Sequence, residues 1–293
     1  MRRSLFFLPM AALLLDAPFA AAQTRVDQTR PAAADGFVDI ENASGSVKVT
    51  GWDKNEIAVR GTLGRQAEGL AFAGSGNRTR IEVETYGNPH GVRSDLEISV
   101  PARSRVRIEC FQAVVTVSGV TGSVHVETVN GSISQTGPAK EVDLTSVNGS
   151  VDVTKVTGRV QVEAVNGTVT VRDVSGELQA STVNGQLTVS GGTLERAQLE
   201  TVSGSVRFEG GLGKRATLHA ESVSGTIDLM LASGIAADFS LSTFSGHIDT
   251  EWGTVPSKDR YSPEKRLEYS TGSGGATITV HTLSGGIRIA KVQ

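Results

Sequence analysis

The stretch Val147-Asn148-Gly149-Ser150-Val151-Asp152-Val153-Thr154-Lys155-Val156-Thr157-Gly158-Arg159-Val160-Gln161-Val162-Glu163-Ala164-Val165-Asn166-Gly167 decides the fold. It opens and closes on one phrase, Val-Asn-Gly, 18 residues apart. The phrase returns at the same spacing as Val129-Asn130-Gly131 and Val183-Asn184-Gly185. Apolar-Ser-Gly replaces it at Val202-Ser203-Gly204, Val223-Ser224-Gly225, Phe244-Ser245-Gly246 and Leu283-Ser284-Gly285, and Ala43-Ser44-Gly45 is an early variant. A fixed period of this kind marks stacked repeats, each of which buries its face only against the next. Weaker turns fall halfway, at Thr157-Gly158 and Ser175-Gly176. The unit is therefore nine residues, two units make a coil, and later coils lengthen to 19 and 21 residues.

Within each unit, apolar residues hold the second and fourth places: Val151 and Val153, Val160 and Val162, Val169 and Val171, Leu187 and Val189. Polar residues such as Asp152, Gln161, Thr170 and Thr188 lie between them. This is the period-two signature of a strand with one buried face, and its β-branched residues suit a pleated sheet. The expected fold is all-β: a parallel, β-helix-like β-solenoid with 18–21-residue coils of two short strands each. Parallel crossovers favour a right-handed helix.

Stacking puts Asn130, Asn148, Asn166 and Asn184, with Gly131, Gly149, Gly167 and Gly185, at one structural corner. Asn and Gly both accept the left-handed backbone of a tight corner, and stacked amides can hydrogen-bond along the column. A third apolar residue (Val156, Val165, Val174 or Val183) precedes each turn and predicts a bend there. Glu127, Thr145, Glu163 and Ser181 share a column in which acids alternate with hydroxyls, which separates like charges. The alternation lapses at Glu200 and Glu221.

Residues 1–22 read as a signal peptide, with Arg2 and Arg3, a short apolar run from Leu5 to Leu15, and Ala20-Ala21-Ala22 before the cleavage point. Residues 23–36 read as a flexible leader and 37–293 as a single solenoid domain. Its 37–117 part is irregular, with 61–77 expected as a loop; 118–250 holds regular coils, 251–272 is a loop, and 273–293 forms the last coil. No other apolar run is long enough for a transmembrane span. Export to the periplasm or the cell exterior is expected.

The net charge is −3, and loss of two basic residues and one acid with residues 1–22 leaves −4. That balance argues against nucleic acid as a partner. The lone cysteine, Cys110, continues the apolar register and reads as a buried, inert thiol. The turns lack the Asp of a calcium β-roll, and the five histidines have no metal spacing, so no metal or cofactor is expected. No nucleophile elbow or phosphate loop occurs. The 251–272 segment is the candidate ligand-contact loop, through Trp252, Arg260, Tyr261 and Tyr269.

The strand Leu96-Glu97-Ile98-Ser99-Val100-Pro101, the turn Val117-Ser118-Gly119, the repeated Thr-Val-Asn/Ser-Gly phrases and the closing Thr282-Leu283-Ser284-Gly285-Gly286-Ile287-Arg288-Ile289 carry a resemblance. Over residues 37–290 the chain resembles the bacterial putative-adhesin family, a domain of unknown function in secreted and envelope proteins. The resemblance implies a β-solenoid and an adhesive or envelope role, and it brings no catalytic residue. The expected function is a non-catalytic binding or structural module whose partner is an envelope protein, a peptide or a glycan. Two alternatives stand beside it. One is a self-assembling scaffold, a homo-oligomer stacked end to end through an open edge at Ile287-Arg288-Ile289. The other is a carbohydrate-active β-helix enzyme with paired acids under the 251–272 loop.

Overall fold

The computed structural model describes residues 24–85, 92–252 and 264–292. Among them the chain is all strand and turn, without a helix, and it forms one continuous, mainly parallel sheet wound into stacked coils. The expected signal peptide lies outside the described residues.

The regular coils confirm the 18-residue register. Glu141–Asn148 pairs in parallel with Ser123–Asn130 on one side and Arg159–Asn166 on the other, each partner 18 residues away. Val151–Thr154 stands likewise between Ile133–Thr136 and Val169–Arg172. The two strands of a coil are unequal, eight residues and four, although the repeat unit suggests equal halves. Val142, Leu144, Val151, Val153 and Val156 of one coil are fully buried. Burying each such side chain contributes about 1.5–3 kcal/mol. The inward residues merge into one core that runs from Val26 to Ile289.

Both ends of the stack depart from the expected layout. At the first end, Phe37–Trp52 pairs in parallel with Arg105–Ser118 on one side; Arg78–Thr85 and Arg93–Pro101 share its other side. Residues 61–77 are not a loop: Ala67–Ser75 forms an antiparallel hairpin with Arg78–Thr85. The leader is also corrected, because Thr24–Pro31 is a strand, antiparallel to Glu56–Leu63. Val26 is its one buried residue, so backbone pairing holds it and no period-two pattern announced it.

At the other end, order in the chain and order in the stack diverge. Ala276–Thr282 inserts between Val206–Ser224 and Ala237–Thr243, and Ile287–Val292 between Ile227–Ala232 and Ile248–Thr250. Ile287-Arg288-Ile289 is thus an interior strand, not an open edge. The last third of the expected 251–272 loop holds the strand Lys265–Thr271, which lies antiparallel on Ala237–Thr243. Antiparallel strands cover exposed strand edges that would otherwise pair with another chain.

Candidate functional site

One corner of the solenoid carries the features that a partner can reach. In Ser123–Asn130 the alternation continues to the strand end, so Val124, Val126 and Thr128 point inward and Val129 points outward. The same holds at the later Asn/Ser-Gly corners, from Gly149 onward. The inner place is taken by a small residue, Thr128, Ser146, Ala164, Thr182, Thr201 or Ser222, and the apolar residue after it faces solvent. Several inner hydroxyls bond corner carbonyls: Ser146 Oγ donates to the Gly131 carbonyl at 3.3 Å and Thr243 Oγ1 to that of Gly285 at 3.1 Å. The bend expected before this corner is absent. At the opposite corner the third apolar residue does turn in, and Val156 and Val174 are buried.

The outward residues form a column. Phe111, Val129, Val147, Val165, Val183, Val202 and Val223 follow one another up the stack, with Leu283 and Phe244 beyond them, and all are 36–48% exposed. At about 4.8 Å per step the column is roughly 40 Å long. Beside it runs an amide ladder in which Asn148, Asn166 and Asn184 each donate from Nδ2 to Oδ1 of the Asn one coil back, at 3.0 Å. The glycines after these Asn residues answer to close approach, not to a left-handed backbone. A Cβ on Gly149 would lie 2.0 Å from the carbonyl oxygen of Gly131.

Where the column meets the first end, a groove of about 470 Å³ opens. Phe111, Val129 and Val147 line it, together with Glu41, Glu82, Glu109 and Glu127. These four carboxylates share one column across adjacent strands. Arg80 reaches Glu41 at 2.9 Å and Glu82 at 3.1 Å. Glu41 first, then Glu82, push its guanidinium pKa further up. Arg107 bonds Glu109 and lies 3.9 Å from Glu127, which also meets His125 Nε2 at 2.7 Å. The sequence reading missed this row, although the triplets Arg80-Ile81-Glu82, Arg107-Ile108-Glu109 and His125-Val126-Glu127 spell it out.

Cys110 lines the same groove but is 8% exposed. Burial, with a smaller push from Glu109, raises its thiol from an ordinary 9.0 to about 12, against a lowering backbone hydrogen bond at Asn42. It is protonated at neutral pH and does not act as a nucleophile there. Farther up the acid column, Glu200 and Glu221 stand directly opposite each other. Gln198 donates to Glu200 at 2.6 Å and His219 lies 3.6 Å from Glu221, which softens the expected repulsion.

Of the expected ligand-contact residues, Trp252 and Tyr269 come together and Arg260 and Tyr261 lie outside the described residues. Phe239 stacks on Tyr269 at 4.5 Å between ring centroids and on Trp252 at 6.1 Å. Lys291 Nζ sits 5.1 Å from the Trp252 ring, and Thr250 Oγ1 lies 3.3 Å from the Tyr269 hydroxyl. Burial raises the Tyr269 pKa, with that hydrogen bond opposing it. Both rings pack against the core, so they help close the end of the stack.

Solved structures with a similar course are described as a putative adhesin from Parabacteroides distasonis, another from Bacteroides fragilis and a putative cell adhesion protein from Clostridium sporogenes. The first is 8% identical, covering 93% of this chain and 98% of that one, with a TM-score of 0.42. The second is 11% identical, covering 92% and 98%, with a TM-score of 0.33. The third is 10% identical, covering 92% and 100%, with a TM-score of 0.24. No curated protein matches the chain significantly. The family model described as Toastrack DUF4097 matches residues 30–290, nearly the whole solenoid, and the chain belongs to that family.

Proposed function

We propose that this chain is an exported, non-catalytic, adhesin-like binding module of the cell envelope, and that the outward apolar column is its recognition surface. The observation that carries this reading is the column itself. Isolated exposed apolar residues are ordinary, but a contiguous row of them marks an interaction site. Here nine large apolar side chains, each 36–48% exposed, stand in register along one corner. The corner needs nothing apolar at those places, since the small inner residues fill its interior and its backbone is held by coil-to-coil hydrogen bonds beside the amide ladder. Rigid strands hold the row at fixed spacing, which lowers the ordering cost of binding an extended partner.

The test is retention of the purified protein on isolated envelope fractions. Loss of retention in a Val165→Ser/Val183→Ser/Val202→Ser variant that melts like the parent supports the reading. Equal retention overturns it. The groove carboxylates are held in ion pairs with Arg80 and Arg107, which suits recognition better than acid–base work.

A further inference from the structure

The groove at the foot of the column carries an inference that rests on the binding reading and deepens it. Glu82, Glu41, Glu109 and Glu127 stand on consecutive strands, so neighbouring carboxylates are one strand spacing apart, about 4.8 Å. Like charges directly opposite each other destabilise a sheet. Farther along, the same column separates its acids with Thr145 and Ser181. In the groove, Arg80 is shared between two of the carboxylates, Arg107 between the other two, and His125 adds to Glu127. The row therefore holds more carboxylates than guanidiniums.

A second observation points the same way. Asn42 lines the groove, is 2% exposed, and donates from Nδ2 to the Ser94 carbonyl at 3.2 Å, yet its Oδ1 has no partner. A buried acceptor without a donor is costly and asks for one. An amide oxygen can only accept, and a carboxylate row favours a cation. Phe111, Val129 and Val147 add apolar surface to the same groove, and its volume of about 470 Å³ is that of a small-ligand site.

We infer that the groove binds a peptide segment presenting a primary ammonium group, from a lysine side chain or a free amino terminus, next to an apolar side chain. An ammonium has three N–H donors, enough to meet Asn42 Oδ1 and two carboxylates together. The adjoining apolar side chain rests on Phe111 and Val129, and the peptide continues along the outward column.

The test is fluorescence anisotropy of the full chain with a C-terminally labelled Leu-Lys-Leu-Lys-Leu peptide. Saturable binding that weakens with added salt is expected. A Glu109→Gln/Glu127→Gln variant that melts like the parent weakens binding about tenfold or more, as does Phe111→Ser. Val292→Ser, exposed but in neither the column nor the groove, leaves it unchanged. Acetylating the lysines abolishes binding if they supply the ammonium; acetylating the amino terminus abolishes it if the terminus does. Equal binding of the fully acetylated peptide, or of the Glu109→Gln/Glu127→Gln variant, overturns the inference. No peptide binding, with envelope retention that still depends on Val165, Val183 and Val202, overturns the inference and leaves the binding reading standing.

Discussion

The two corners of a coil turn the chain by different means. At the Asn/Ser-Gly corner the strand keeps strict alternation, a small residue occupies the inside, and the apolar residue is left in water. Coils approach so closely there that Gly149, Gly167 and Gly185 each abut the preceding glycine carbonyl, with a Cβ site 2.0 Å from its oxygen. At the opposite corner the backbone itself turns left-handed. Gly119, Gly137, Lys155, Asp173 and Gly191 stack there with φ of 69°, 121°, 58°, 54° and 69°. That turn folds Val156 and Val174 into the core. One corner is thus built from proximity and the other from handedness, and the proximity corner alone leaves apolar surface exposed.

The largest effect should come from breaking the close approach. Gly149→Ala places its Cβ against backbone with coils on both sides, so no side chain can yield. The coils must part, and a cost of at least about 3 kcal/mol is expected, the upper range of overpacking. Chemical denaturation measures it. A loss under 1 kcal/mol would show that the corner breathes.

The inner position of the same corner holds Cys110 where later coils have Thr128 and Ser146. Its folded thiol titrates near 12, above the ordinary 9.0 of the unfolded chain. The folded state then holds the proton after the unfolded state has lost it. Stability is therefore full below pH 9 and falls between pH 9 and 12, by about 1.4 kcal/mol per unit at most. Cys110→Ala should flatten that alkaline limb in pH-dependent melting. An identical slope in both proteins would mean that the thiol is hydrated. Tyr269, also raised by burial, contributes in the same direction and remains in both.

How legible these corners were depends on which residues repeat. Columns such as Val151, Val169 and Leu187 repeat an apolar residue at a fixed 18-residue step, so fold and register could be read directly. Val165 and Val174 look alike in sequence, each an apolar residue before a turn, yet one faces out and the other in. Their orientation depends on whether the next residues turn by Asn-Gly or by a left-handed backbone, which Lys155 and Asp173 do not advertise. The first end was obscure because it mixes antiparallel with parallel pairings, over uneven distances. The insertion of Ala276–Thr282 between earlier coils is a tertiary choice that no local pattern encodes. The acid row was written in plain triplets, but at irregular intervals, so periodicity did not collect it.

A smaller effect sharpens the handedness side of the comparison. Lys155 and Asp173 are exposed residues held in a conformation that costs a non-glycine residue about 1–2 kcal/mol. Glycine removes that cost and adds about 0.5–1 kcal/mol of chain entropy. Lys155→Gly should therefore stabilise by about 0.5 kcal/mol, read as a higher melting temperature. The same exchange at Val147, whose backbone is an extended strand, should destabilise.

The smallest effect tests why the column exists. If outward valines served the fold, trimming them would cost what core valines cost. Val165 is 39% exposed and its coil partners Val147 and Val183 are equally open, so little apolar area is lost from the folded state. Val165→Thr keeps the β-branched shape and strand propensity while removing the apolar character. Its melting temperature should match the parent, with a stability change inside about 0.5 kcal/mol, while the equivalent change at buried Val162 costs several times more. A large loss at Val165 would make the column a structural rib. Parity there, with loss at Val162, would mean that folding does not require the apolar surface, and only recognition is left to explain its presence on every coil of this corner.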